Sequence, residues 1–343
     1  MNAKPWLDRS SPVRLVLLAL VLLGLFFFGG RGNLSSEEAL LYGRIRAAQN
    51  ALWQAMEEKG QTDPVHDGDR SGFIGLEWSE TSTTLGKLDA KQNASDPLWG
   101  AQCLRWFDQL GLKRGDRIVV LSSASFPGLL YSVLAAAEAR GLQVDLVVSL
   151  GASAWGANRP EAPWPVLART LRTGGFLHTQ PLFYTLGGNH ELGSELSAEG
   201  LAALTQAARS DGVEVFRPAR LDDVIARKVQ LLSRPDQPRA KLLVNIGGSE
   251  ANLGTDEAVV SLKNGLLGRA DAGVAGNGVI AQALAQDFPV LHLLNLRSLA
   301  AQAGIAFATR EPHFRNFSPI AALAGLALFL IVLASHKRWA WEE

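Results

Sequence analysis

The sequence predicts an α/β protein built on a mostly parallel, doubly wound sheet. Three observations predict it. Short β-branched apolar runs alternate with helix-forming segments from residue 117 to residue 303. Ile118-Val119-Val120-Leu121 is continuously apolar, as a strand buried on both faces requires. Successive runs also close in small polar residues, the composition of strand-to-helix turns.

Residues 117–158 set the pattern. The Ile118 strand is followed by Ser122-Ser123-Ala124-Ser125, and Pro127 suits the first turn of a helix, where its missing N–H costs nothing. Residues 129–140 are strong helix formers, and Gly141 can end them in a left-handed cap. Residues 142–150 form a second strand, closing in Gly151-Ala152-Ser153 and Gly156-Ala157-Asn158. This is one βαβ unit, so the two strands are parallel and binding sites are expected beyond their carboxyl ends.

Ahead of this unit, residues 13–30 are almost uncharged and close to the ~20 residues a bilayer-crossing helix needs. No small-residue cleavage site follows them, so an uncleaved anchor is expected over a signal peptide. Residues 318–335 are a second apolar run, flanked by Lys337, Arg338 and the interfacial aromatics Trp339 and Trp341. Lys4, Arg9 and Arg14 before the first run, with Lys337 and Arg338 after the second, place both termini in the cytoplasm. The expected organisation is therefore a cytoplasmic N-terminus (1–12), a transmembrane helix (13–30), a membrane-proximal helix and linker (31–72), an extracytoplasmic α/β domain (73–316), a second transmembrane helix (318–335) and a cytoplasmic C-terminus (336–343).

In residues 34–59, Ser35-Ser36-Glu37-Glu38 supplies a helix cap, and Leu41, Ile45, Ala48, Leu52 and Met56 recur at helical spacing. Residues 61–71 are a polar linker with Asp-Pro and Asp-Gly turns. Residues 74–97 are dense in hydroxyls; turn and capping chemistry accounts for them, or Thr83, Thr84 and Lys91 line an anion site. Helices are expected at 97–110, 164–172, 197–210, 221–232, 279–285 and 296–303. Further strands are expected at 181–186, 213–216, 241–246 and 290–294, with a Gly-rich stretch at 265–278.

Composition removes some classes of function. Lys plus Arg and Asp plus Glu are both 33, so the formal net charge is +0 and gives no electrostatic case for a nucleic-acid partner, which would need a basic face. Cys103 is the single cysteine, which excludes an intrachain disulfide and a thiolate metal site.

Four strand ends share one composition: Ser122-Ser123-Ala124-Ser125, Gly151-Ala152-Ser153, Gly187-Gly188-Asn189 and Gly247-Gly248-Ser249. Glycines allow close backbone approach, and free N–H groups there make an anion nest. Four on one sheet edge read as a ligand site. Ser125 and Ser153 are the candidate nucleophiles, but a serine needs a base in hydrogen-bond reach. There is no G-x-S-x-G elbow. His190 is the base best placed by the pattern, whereas His178 and His292 read as ordinary strand-edge or core residues. Gly188-Asn189-His190-Glu191 mimics a metallophosphoesterase segment, yet the other ligand motifs of that chemistry are missing, so no metal and no cofactor are expected.

These residues carry a resemblance. Thr83-Thr84-Leu85-Gly86 with Lys91, Ser125-Phe126-Pro127-Gly128, Gly151-Ala152-Ser153 with Trp155-Gly156-Ala157-Asn158, Gly187-Gly188, and Asn245-Ile246-Gly247-Gly248-Ser249 with Asn252-Leu253-Gly254 resemble the poly-γ-glutamate system proteins. That family comprises bacterial membrane proteins found beside the poly-γ-glutamate synthase components. The family pattern has an acidic stretch after Gly187-Gly188, where this chain has Asn189-His190. The resemblance implies an accessory role in making or exporting the polymer (a capsule component), with the bilayer, the synthase membrane components and γ-glutamyl oligomers as partners. The ligand-binding set expected from the strand ends and the hydroxyl-rich segment is Thr83, Thr84, Lys91, Ser125, Ser153, Asn158, Gly187, Gly188, Gly247, Gly248 and Ser249. A serine-dependent hydrolase or transferase using Ser125 or Ser153, and a non-catalytic scaffold, are the alternatives.

Overall fold

The apolar run at residues 118–121 lies in the middle strand of a six-stranded sheet. The computed structural model describes residues 34–307 as an unbroken run, together with residues 18, 20–22, 324–325 and 327–328. It divides into two units, residues 35–309 and residues 1–34 with 310–343. Within the second unit, a methyl group added to Gly325 would lie 3.0 Å from Leu22 Cδ2. The two expected membrane spans fall almost wholly outside the described residues. Among the described residues, no helix is long and apolar enough to cross a membrane.

The elements of the larger unit, in chain order, are α1 (Ser36–Glu57), β1 (Ser82–Thr84), α2 (Leu88–Ala94), α3 (Leu98–Gln109), β2 (Arg117–Ser123), α4 (Pro127–Arg140), β3 (Gln143–Ser149), β4 (Ala152–Ser153), α5 (Trp164–Thr173), β5 (Phe183–Thr185), α6 (Ala198–Ser210), α7 (Leu221–Gln230), β6 (Leu242–Ile246), α8 (Glu250–Leu253), β7 (Gly265–Leu267), α9 (Val279–Ala285), β8 (Val290–Leu293) and α10 (Leu296–Ala303). The main sheet has the order β5-β3-β2-β6-β8-β7. Every pairing is parallel except β7 with β8. The expected α/β fold with a mostly parallel sheet is therefore present.

Both faces of the sheet are buried, and β2 shows why. Ile118 and Val120 enter one apolar cluster, with α3 and α4. Val119 and Leu121 enter another, with α7 and α9. Strand alternation thus supplies two cores at once. From β2 the chain moves outward through β3 to β5, then returns to β6 on the other side of β2. The direction of winding reverses between β2 and β6, which opens a crevice at their carboxyl ends. At the opposite end, the buried Arg117 guanidinium donates to Asp145 Oδ2 at 2.6 Å and to the Leu231 carbonyl at 2.7 Å, which closes the base.

The amphipathic segment at 34–59 is α1, started by a reciprocal capping box between Ser35 and Glu38. It packs on the domain: a methyl group on Gly100 of α3 would lie 2.4 Å from Ile45 Cδ1.

Three elements differ from expectation. The strand expected at 213–216 makes only a single bridge, Tyr184 to Val215, because it meets the short edge strand β5 and nothing beyond it. The Gly-rich stretch contains β7, which caps the other edge in antiparallel register. The hydroxyl-rich segment at 74–97 contains both β1 and the short helix α2. Strand β1 pairs with β4 to form a second, two-stranded sheet.

Candidate functional site

Only two residues separate the end of β3 from β4, so Ser153 stands close to the carboxyl end of the main sheet. The Ala154 N–H donates to the Thr84 carbonyl at 2.8 Å, which ties this ledge to β1. The chain then turns sharply: the Gly156 N–H returns to the Ser153 carbonyl at 3.0 Å, with Trp155 in the left-handed region at φ 63°. A non-glycine residue there is strained, and its indole is held against the His66 ring at 4.6 Å.

Helix α2 brings Lys91 to this turn from below. Lys91 is buried, and its Nζ lies 2.7 Å from Ser153 Oγ and 2.5 Å from the Ser125 carbonyl. Burial pulls the amine down from its ordinary 10.5 to about 7. The Phe126 ring face, 3.6 Å from Nζ to centroid, favours the charged form and opposes that shift. A neutral amine fits both contacts: it donates to the Ser125 carbonyl and accepts from the Ser153 hydroxyl. The Ser153 N–H donates to Ser125 Oγ at 2.9 Å, so the two predicted serines and the lysine form one constellation. Gly86 permits it, since a methyl group there would lie 2.8 Å from the Ala154 carbonyl and 3.1 Å from Ser153 Oγ.

Asn158 secures the ledge from behind. Fully buried, it accepts from the Leu76 N–H at 2.8 Å, and its amide donates to the Leu76 carbonyl at 2.9 Å and to Ser82 Oγ at 2.8 Å. All of its side-chain groups are consumed by the protein. Asn158→Ala should lower stability by about 1–3 kcal/mol in denaturant unfolding, because the Leu76 backbone groups lose their partner. Stability within about 0.5 kcal/mol of wild type would refute this bracing role.

A second cluster lies under the neighbouring strand ends. Glu191 is fully buried; its carboxylate accepts from Ser149 Oγ at 2.8 Å, from the hydroxyls of Thr185 and Ser249, and from Lys228 Nζ at 3.2 Å. Burial raises the Glu191 carboxyl, but the Lys228 ammonium and these hydroxyls hold it below its ordinary value on balance. Burial lowers the Lys228 amine despite the pull of Glu191. The network continues from Lys228 to Asn252 Oδ1 at 3.0 Å, from Asn252 to Asn245 at 2.8 Å, and from Asn245 to His292 Nδ1 at 2.9 Å. His292 is buried on β8, and desolvation lowers its pKa to about 4, so it stays neutral.

Both clusters face one cavity of about 380 Å³. Of the residues expected to bind ligand, Thr83, Thr84, Lys91, Ser125, Ser153, Gly187, Gly188, Gly248 and Ser249 line it. Asn158 and Gly247 lie outside the lining. His190, the base that the sequence pattern favoured, is also outside it: its exposed ring sits 3.5 Å from Glu250. His190 and Glu191 both occupy the left-handed region, at φ 56° and 63°, and of the two only Glu191 is buried. The titratable side chain beside Ser153 is Lys91. Among the described residues, no group of three or more His, Cys, Asp or Glu side chains could hold a metal ion. Compared with family models, curated proteins and solved structures, the chain matches none.

Proposed function

We propose that this protein is a serine-dependent acyl hydrolase or transferase in which Ser153 is the nucleophile and Lys91 its general base. The observation that carries the reading is the buried Lys91 amine, 2.7 Å from Ser153 Oγ, with its pKa brought to about 7. A lysine tuned in this way can accept a proton near neutrality. In the reaction, Lys91 takes the Ser153 proton while Ser153 Oγ bonds to the acyl carbon. The bond to the leaving group then breaks, and Lys91 returns the proton to it. Water or an amine releases the acyl group by the same steps in reverse.

The resemblance supplies the substrate class, a γ-linked glutamyl amide. It also supplies the setting: an extracytoplasmic domain, anchored by the apolar runs at 13–30 and 318–335, beside the polymer synthase. In this reading the protein trims, releases or attaches the polymer. Passive binding of the polyanion is the weaker reading, because an anion site needs a protonated lysine and burial disfavours that form of Lys91.

The test is labelling of the full chain by an alkyl fluorophosphonate, with the labelled peptide mapped by mass spectrometry. Labelling is expected on Ser153, rising with pH through about 7 and levelling above it as Lys91 loses its proton. Incubation with γ-linked glutamate oligomers should shorten them, with α-linked oligomers as control. No label between pH 6 and pH 9 would remove the nucleophile. Binding of the oligomers without label or shortening would favour the passive site.

A further inference from the structure

A third serine on the cavity wall has no task in the dyad. Ser123 ends β2, on the same sheet face as Val119 and Leu121, and its register partner is Ser149 of β3. Only 7% of Ser123 is exposed, and its hydroxyl is buried without a hydrogen-bond partner. Seven other buried side-chain atoms share that condition among the described residues, and Ser123 is the one among these residues that lines the cavity. The protein also keeps room for this hydroxyl. A methyl group on Gly247 would stand 2.3 Å from Ser123 Oγ and 3.6 Å from the Phe126 ring that covers Lys91.

A buried hydroxyl left unpaired costs free energy, and one on a cavity wall can recover it by pairing with a bound ligand. We infer that the Ser123 hydroxyl donates a hydrogen bond to an oxygen of the bound acyl group. The position is consistent with the chemistry. Ser123 is two residues from Ser125, whose Oγ accepts from the Ser153 N–H, so the β2 end that carries the donor meets the β4 turn that carries the nucleophile. An acyl oxygen gains negative charge as Ser153 adds to the carbon, so a donor aimed at it acts more on rate than on binding. The inference rests on the Ser153 reading and adds a residue that touches substrate to it.

The experiment measures fluorophosphonate labelling of the full chain over a range of probe concentrations, for wild type, Ser123→Ala and Ser132→Ala. The probe's phosphoryl oxygen stands in for the acyl oxygen. The Ser153 Oγ–P bond forms, the P–F bond breaks, fluoride leaves and the serine proton passes to Lys91. Ser123→Ala should lower the limiting labelling rate about 100-fold. Its half-saturating probe concentration should stay within about twofold, and its melting temperature should be equal to or above that of wild type, since an unpaired polar group has been removed. Ser132 is likewise buried and unpartnered but lies in α4 and does not line the cavity, so Ser132→Ala should label like wild type. Wild-type labelling rates in Ser123→Ala would overturn the role of Ser123 and leave Ser153 standing. A lower melting temperature with a matching loss of label would show a structural role instead. No label on wild type would overturn the nucleophile, and this inference with it.

Discussion

Lys91→Met should lower turnover of a γ-glutamyl substrate at least about 10³-fold at pH 7 while leaving the domain as stable as wild type or more so. The loss follows from the mechanism: a serine hydroxyl without its base is a poor nucleophile, and members of such a unit cost about as much singly as together. Ser153→Ala should therefore fall to the same level, and the double variant should fall no further. Lys91→Arg should not rescue, because a guanidinium stays protonated and cannot accept the serine proton. The stability half of the prediction separates catalysis from scaffolding. Folded Lys91 releases its proton near pH 7, whereas its ordinary pKa is 10.5. Between those values the unfolded chain binds more protons, so this residue makes wild-type stability rise with pH across that window. Met has no proton to lose and similar length. The gain of Lys91→Met over wild type, about 1 kcal/mol or more at pH 7, should shrink as pH approaches 10. Denaturant unfolding at pH 7 and pH 9.5 measures it. A destabilised Lys91→Met that keeps its activity would make Lys91 a structural residue and end the proposal.

How far the site was legible depends on the range of the interactions that make it. The strands and most helices are written locally, in β-branched runs, caps and glycines, so β2, α4, β3 and the crevice beyond them follow from residues 117–158. Ser125 and Ser153 follow as well, because four small polar turns fall at the carboxyl ends of one sheet. Lys91 reads differently. In sequence it is a lysine among hydroxyls, suited to meeting an anion. Its burial comes from Phe126 and the β4 turn, which lie tens of residues away, and burial changes an anion ligand into a base. His190 fails for the converse reason: the pattern puts it at a strand end, but its exposed ring sits beside Glu250, outside the cavity lining. Glu191, beside it, goes inward. Its partner Lys228 falls on the apolar stripe of its helix with Val224 and Ile225, but nothing local pairs it with Glu191. The β1–β4 pairing was missed because strands of two or three residues are too short to show a period.

Lys228→Met should destabilise the domain by about 3–5 kcal/mol, the effect expected when one partner of a buried ion pair is removed. Neither side chain reaches solvent: Lys228 is 1% exposed and Glu191 0%. Without the ammonium, the Glu191 carboxylate retains only hydroxyl donors and becomes a buried charge without its counter-ion, so its pKa should rise well above the ordinary value. The sign of the pH dependence then reverses. In wild type, Glu191 is held below its ordinary pKa, so its contribution is present at neutral pH and is lost as pH falls through the folded value. In Lys228→Met the folded carboxyl binds its proton more tightly than the unfolded one, so the deficit should grow as pH rises from 5 to 8. Unfolding titrations at those two values read it directly. Lys228→Met with Glu191→Gln should recover part of the loss, since the buried charge is gone and the amide can still accept from Ser149 and Thr185. A single variant within about 1 kcal/mol of wild type would show that the pair is not the keystone of the β5 and β6 loops. If the loss is as large as expected, the two clusters divide the work. The pair of Glu191 and Lys228 fixes Ser149 and Ser249 at the base of the cavity, and that rigid base leaves Lys91, Ser153 and Ser123 to meet the substrate.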